Sequence, residues 1–115
     1  MQYFLVQISY TREAWTVLIK EPQNRLDSMR PVIESLGGKV QSSFLMFGDY
    51  DVLGILQLPD SVSAAALSMT IMGGGAVKNV KTTQLIPWSE GLEAMKKAKK
   101  LVYKPPEKDP MLDRQ

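Results

Sequence analysis

The chain has 115 residues, 44% of them hydrophobic, and a formal net charge of +2. That length suits one domain around one modest core, and so small a charge does not mark a nucleic-acid binder. Cysteine and histidine are both absent, which excludes disulfides, thiolate or imidazole metal sites, a cysteine nucleophile and haem on an axial histidine.

From the N-terminus, Met1-Gln-Tyr-Phe-Leu-Val-Gln-Ile lacks the basic leader of a signal peptide. No apolar run in the chain approaches the length of a membrane span. A soluble, cytoplasmic protein without metal or cofactor is expected. Tyr3 to Ser9 alternates and predicts a first strand, with Phe4, Val6 and Ile8 on one face and Tyr3, Leu5, Gln7 and Ser9 on the other. The second face mixes a phenol, an amide and a hydroxyl, which suits a face half-covered by a partner subunit better than one lined by a ligand.

Thr11 is placed to cap a short helix through Trp15 to about Lys20, and Pro22 interrupts it. Asn24 then caps a longer helix in which Leu26, Met29, Ile33 and Leu36 make one apolar stripe. Pro31 within it predicts a kink. Gly37-Gly38 ends the helix, the first glycine suiting a left-handed position.

Lys39 to Phe47 reads as a second strand and Tyr50 to Leu58 as a third, joined by a tight break at Gly48-Asp49. In the third strand Val52, Gly54, Leu56 and Leu58 face one way, while Leu53, Ile55 and Gln57 face the other. Both sets are mostly apolar, so both faces of the sheet need cover. The chain's own helices can shelter one, and a second copy is the simplest cover for the other.

Asp60 or Ser61 starts a helix to about Met72, with Val62, Ala65, Ala66 and Met69 as its expected buried side. Gly73-Gly74-Gly75 lacks the preceding strand and following helix of a phosphate loop and reads as a stop. Val77 to Ile86 is a fourth strand. Ser89 is expected to cap a last helix carrying Leu92, Met95 and Ala98 on one side and Lys96, Lys97, Lys99 and Lys100 at its end, where they favour the helix dipole. The expected organisation is a domain over 1–101 and an extended Pro/Lys-rich tail over 102–115, in which Met111 and Leu112 offer a small apolar anchor.

The element order β-α-β-β-α-β with a further C-terminal helix gives an α+β class: a ferredoxin-like antiparallel sheet with helices on one face. Within that frame the chain resembles the GYD-domain family. The resemblance rests on Gly48-Asp49-Tyr50-Asp51, Thr11, the Lys20, Pro22 and Arg25 spacing, Leu36-Gly37-Gly38-Lys39, Pro59-Asp60 and Val80-Lys81-Thr82, all in order over roughly residues 1 to 87. Asp49 departs from it where a basic or polar residue is common, and Ala14 where glycine is frequent. The resemblance implies a dimeric α/β-barrel type of assembly and brings no established activity.

Candidate ligand-binding residues are Tyr3, Gln7, Arg12, Trp15, Arg25, Phe47, Asp49, Tyr50 and Asp51. Asp51 or Tyr50 reaching a cavity with Tyr3, Gln7, Arg12 or Arg25 would have its ionisation tuned by burial. The plainer alternative makes Asp49 a turn former, Tyr50 a packed ring and Asp51 a cap or ion-pair partner. Lys20 and Arg25 could hold a carboxylate or phosphate, and Trp15, Phe47 and Trp88 could line an apolar pocket. The leading expectation is a homo-oligomeric module that binds a small apolar or anionic ligand or acts as an accessory. A cofactor-independent enzyme of monooxygenase or isomerase type on an aromatic or apolar substrate is the alternative, with no catalytic residue assigned. RNA binding comes last, because Ser43-Phe44-Leu45-Met46-Phe47-Gly48 lacks the basic start that RNA-recognition strands carry.

Overall fold

The computed structural model describes residues 1–107. It contains β1 (Gln2–Tyr10), α1 (Arg12–Lys20), α2 (Arg25–Ser35), β2 (Lys39–Leu45), β3 (Val52–Leu58), α3 (Ser61–Gly73), β4 (Val77–Leu85) and α4 (Trp88–Lys99). The four strands form one antiparallel sheet in the order β2-β3-β1-β4. This is the ferredoxin-like α+β arrangement expected from the element order.

The core lies on one side of the sheet. Phe4 and Val6 of β1 and Leu56 and Leu58 of β3 pack with Ile33 of α2 and with Ala64 and Leu67 of α3. Leu58 is fully buried, at 0% exposure. On the opposite side Leu5 pairs with Ile55, Gln7 with Leu53 and Tyr3 with Gln57, and all six side chains keep partial exposure. Ser9 shares their parity but is buried, because its hydroxyl donates to the Asp49 carbonyl of the loop before β3.

Helix α2 follows its sequence pattern: Ile33 is buried, with Leu26, Met29 and Leu36 partly so. Pro31 sits on its exposed side, within one uninterrupted helix. The C-terminus closes as a Schellman motif, with Gly38 N–H donating to the Ile33 carbonyl at 3.0 Å and Gly37 N–H to that of Glu34 at 2.9 Å. Gly37 has φ +81°, and a Cβ on Gly38 would stand 2.5 Å from the Gln57 carbonyl oxygen. Left-handed backbone at one position and close approach to β3 at the next explain the glycine pair.

Three local expectations need correction. The β2–β3 connection is a loop over residues 46–51 rather than a tight turn at Gly48-Asp49. Asp51 N–H donates to the Ile8 carbonyl (2.8 Å), so the loop is drawn towards β1 while Met46 N–H closes it on the Asp51 carbonyl. Helix α3 buries Ala64 and Leu67, while Val62 and Met69 are exposed at 76% and 72%. Its sequence is apolar on nearly every side, so periodicity cannot choose the buried face. Helix α4 starts at Trp88 after Pro87, without a side-chain cap from Ser89.

No residue of α4 is buried, and its apolar side, Leu92 and Met95, is open to solvent. Residues 102–107 are irregular and exposed, while Met111 and Leu112 lie outside the described residues. Among the described residues no helix is long and apolar enough to cross a membrane.

Candidate functional site

A cleft of about 530 Å³ opens between α1, the α1–α2 connection and the β2–β3 end of the sheet. Its walls are Tyr10, Trp15 and Leu18 at one end, Pro22 to Leu26 along one side, and Ser43, Phe44, Leu45 and Val52 along the sheet. A smaller recess of about 190 Å³ shares Tyr10, Leu18, Gln23 and Arg25 and extends to Ala14, Val17 and Ala76.

Capping fixes the elements around it. Thr11 accepts the Ala14 N–H at 3.1 Å and donates its own backbone N–H to the Ala76 carbonyl, which sets the start of α1 against β4. Trp15 and Leu18, one helical turn apart, then face the cleft. Asn24 accepts the Leu26 N–H at 2.9 Å and starts α2, so the short stretch between the helices becomes one side of the opening.

Asp51 locks the inner end. One carboxylate oxygen accepts the Tyr10 backbone N–H at 2.8 Å and the Trp15 indole N–H at 3.1 Å. The Tyr10 and Trp15 rings meet edge to face, with centroids 5.6 Å apart and planes at 88°. A bulge at Ser9/Tyr10, where the β1–β4 register shifts, marks this end of the strand. Burial raises the Tyr10 phenol above its ordinary pKa, with the Arg25 guanidinium opposing the shift and the Asp51 carboxylate adding to it.

The structure gathers only part of the sequence-derived candidate set here. Trp15 and Arg25 line the cleft, and Asp51 stands behind it. Asp49 contributes its backbone carbonyl to Ser9 rather than its carboxylate to the cleft. Tyr3 and Gln7 lie on the other side of the sheet. Arg12 and Phe47 are exposed, Phe47 completely (102%), and Tyr50 is half-buried outside the cleft wall. Lys20 and Trp88 are exposed as well.

Sequence reasoning missed Tyr10, Leu18, Leu26, Leu45 and Val52 as wall residues. Leu18 could have been found from its one-turn spacing after Trp15. Tyr10 could have been found by carrying the β1 alternation one residue past Ser9, since it shares the parity of Phe4, Val6 and Ile8. No group of three or more acidic residues is placed to hold a metal ion among the described residues.

The sequence model of the GYD domain matches residues 4–95, taking in all four strands except the first two residues of β1, the first three helices and most of α4. The chain belongs to the GYD-domain family. In this GYD domain the signature run Gly48-Asp49-Tyr50-Asp51 is the loop that fastens β3 to β1 and to α1, through the Asp49 carbonyl and the Asp51 carboxylate. No curated protein matches the chain. Among solved structures the GYD domain is similar to one described as "crystal structure of FFRP-DM1", at 13% identity and a TM-score of 0.47, over 75% of this chain and 100% of that one.

Proposed function

We propose that this GYD domain is a homo-oligomeric small-ligand-binding or accessory module, soluble in the cytoplasm, whose ligand enters the cleft at Trp15 and Arg25. The observation that carries the reading is the pairing of an uncovered apolar sheet face with a half-open apolar cleft on the helix side. Leu5, Leu53 and Ile55 form the centre of the uncovered face, with Phe44 opposite Leu53 on the edge strand. Apolar surface of this kind favours association, and a second sheet packed face to face supplies the cover. The open stripe of α4 adds further surface for a neighbouring subunit. The cleft is within the usual size range of small-molecule sites and meets that face only at Phe44, on the edge strand.

Binding is favoured over catalysis because the cleft wall carries no carboxylate and Asp51 behind it is engaged structurally. Asp51 holds Tyr10 and Trp15, and Tyr3 and Gln7 stand across the sheet from the cleft. RNA binding is disfavoured because the open face of the two central strands carries one aromatic ring, Tyr3 of β1, beside Leu53, Ile55 and Gln57 of β3.

Native mass spectrometry of the purified chain tests both parts. A multiple of the 12.9 kDa subunit mass is expected, together with uptake of a small hydrophobic molecule added in solution. A bare monomer that takes up nothing contradicts the reading.

A further inference from the structure

We infer that the cleft takes a small apolar carboxylate, an aryl or short aliphatic acid, with the Arg25 guanidinium as its anion anchor; the inference rests on the ligand-binding reading above. Most of the wall is hydrocarbon or aromatic: Trp15, Leu18, Leu26, Leu45 and Val52. Such a surface selects an apolar body by burial. Arg25 is the cationic residue in that wall. The one ion pair among the described residues joins Arg30 to Asp27, on the next turn of α2, so Arg25 has no carboxylate of its own.

The Asp51 carboxylate forms no ion pair with it among the described residues. Its Oδ2 accepts two N–H groups, from the Tyr10 backbone and the Trp15 indole. A guanidinium at the mouth of an apolar cleft offers a planar fork that matches a carboxylate, and charge-assisted bonds of that kind are stronger than neutral ones. The half-buried Tyr10 phenol lines the same cleft and feels the Arg25 charge.

A phosphate ester fits less well. Lys20 is exposed and outside the cleft wall, and the glycine run at 73–75 that could have offered backbone N–H groups is at the end of α3. One arginine suits one negative charge. The site therefore discriminates by charge at the mouth and by hydrophobic bulk inside.

The test uses Trp15 fluorescence in the full-length chain with the exposed Trp88 replaced (Trp88→Phe), so that the signal reports the cleft. Three probes of one shape are titrated: 4-phenylbutyrate, its neutral amide and 4-phenylbutylamine. The acid is expected to bind about tenfold more tightly than the amide, and the amine most weakly. Arg25→Gln is expected to erase the acid's advantage while leaving the amide's affinity in place, and Arg25→Lys to keep part of it. Circular dichroism checks that each variant folds.

Equal affinity for acid and amide in the unsubstituted site, or an acid preference that survives Arg25→Gln, overturns the anion anchor and leaves the ligand-binding reading standing. Failure of all three probes to perturb Trp15 at millimolar concentration overturns both.

Discussion

The Trp15 indole N–H donates to the Asp51 carboxylate at 3.1 Å, joining α1 to the start of β3 across 36 positions of sequence. The same carboxylate oxygen accepts the Tyr10 backbone N–H at 2.8 Å. One acidic side chain thus ties together the end of β1, the first turns of α1 and the loop before β3. The cleft has its inner wall because those three meet.

Removing that acceptor leaves two donors unpaired in a half-buried setting. Asp51→Ala is expected to lower unfolding free energy by about 1–3 kcal/mol, and Trp15→Phe, which deletes the donor together with part of the indole, by about 1–3 kcal/mol. Urea denaturation of both single variants and the double variant measures the coupling between them. Strictly additive losses would show that the two residues act independently.

Tyr10 gives the cleft a spectroscopic handle. Its phenol titrates above the ordinary tyrosine value because burial disfavours the phenolate, so the folded state keeps its proton while the unfolded chain loses one. The stability this contributes is fully present below the unfolded pKa and is lost as pH rises through the folded pKa. Arg25→Gln removes the charge that opposes the shift and is expected to push Tyr10 higher; Asp51→Asn is expected to bring it lower. Absorbance titration near 295 nm, with the Tyr10→Phe variant subtracted, reads both directions.

The two glycines after α2 separate conformational strain from steric exclusion. Gly37→Ala forces a side chain into left-handed backbone (φ +81°), at a cost of about 1 kcal/mol. Gly38→Ala places a methyl group against the Gln57 carbonyl and Leu58, and overpacking of that kind costs about 1–3 kcal/mol. Gly73→Ala, which would meet nothing within 4 Å, is the control and should leave the thermal midpoint unchanged or slightly raised. A Gly38 variant as stable as that control would refute the close approach of α2's end to β3.

Asp60 caps α3 by accepting the Ser63 N–H at 2.8 Å, and that bond lowers its pKa. Its stabilisation is present above the unfolded carboxylate value and fades as pH falls through the folded one. Asp60→Asn keeps the capping oxygen without the titration. The variant is therefore expected to show a flatter dependence of thermal midpoint on pH between 5 and about 2. An unchanged acid limb would assign that dependence to other carboxylates.

Much of the scaffold was legible because several local signals agree. Thr11 and Asn24 are caps in sequence and in structure, Asp60 rather than Ser61 proves to cap α3, and Gly37-Gly38 stops α2 where its stripe runs out. Leu56 and Leu58 are buried on the face their alternation assigned them. The failures share a cause. Helix α3 is greasy on all sides, so only the sheet beneath it decides that Ala64 and Leu67 turn inward and Val62 outward. The loop over 46–51 follows long-range bonds to Ile8, Ser9 and Tyr10 that turn chemistry cannot reveal. The cleft is harder still, since Tyr10 lies one residue past the strand expected to end at Ser9, and Phe47 falls outside because β2 ends at Leu45.

Self-association of the uncovered sheet face is the central claim, and sedimentation equilibrium at micromolar concentration tests it most directly, with Leu53→Asp run beside the unsubstituted chain. A mass of at least two 12.9 kDa subunits is expected for the unsubstituted protein, and a folded monomer, or a sharply weakened oligomer, once a charge stands at Leu53. A single-subunit mass for both proteins, or one oligomeric mass unmoved by the substitution, would contradict it.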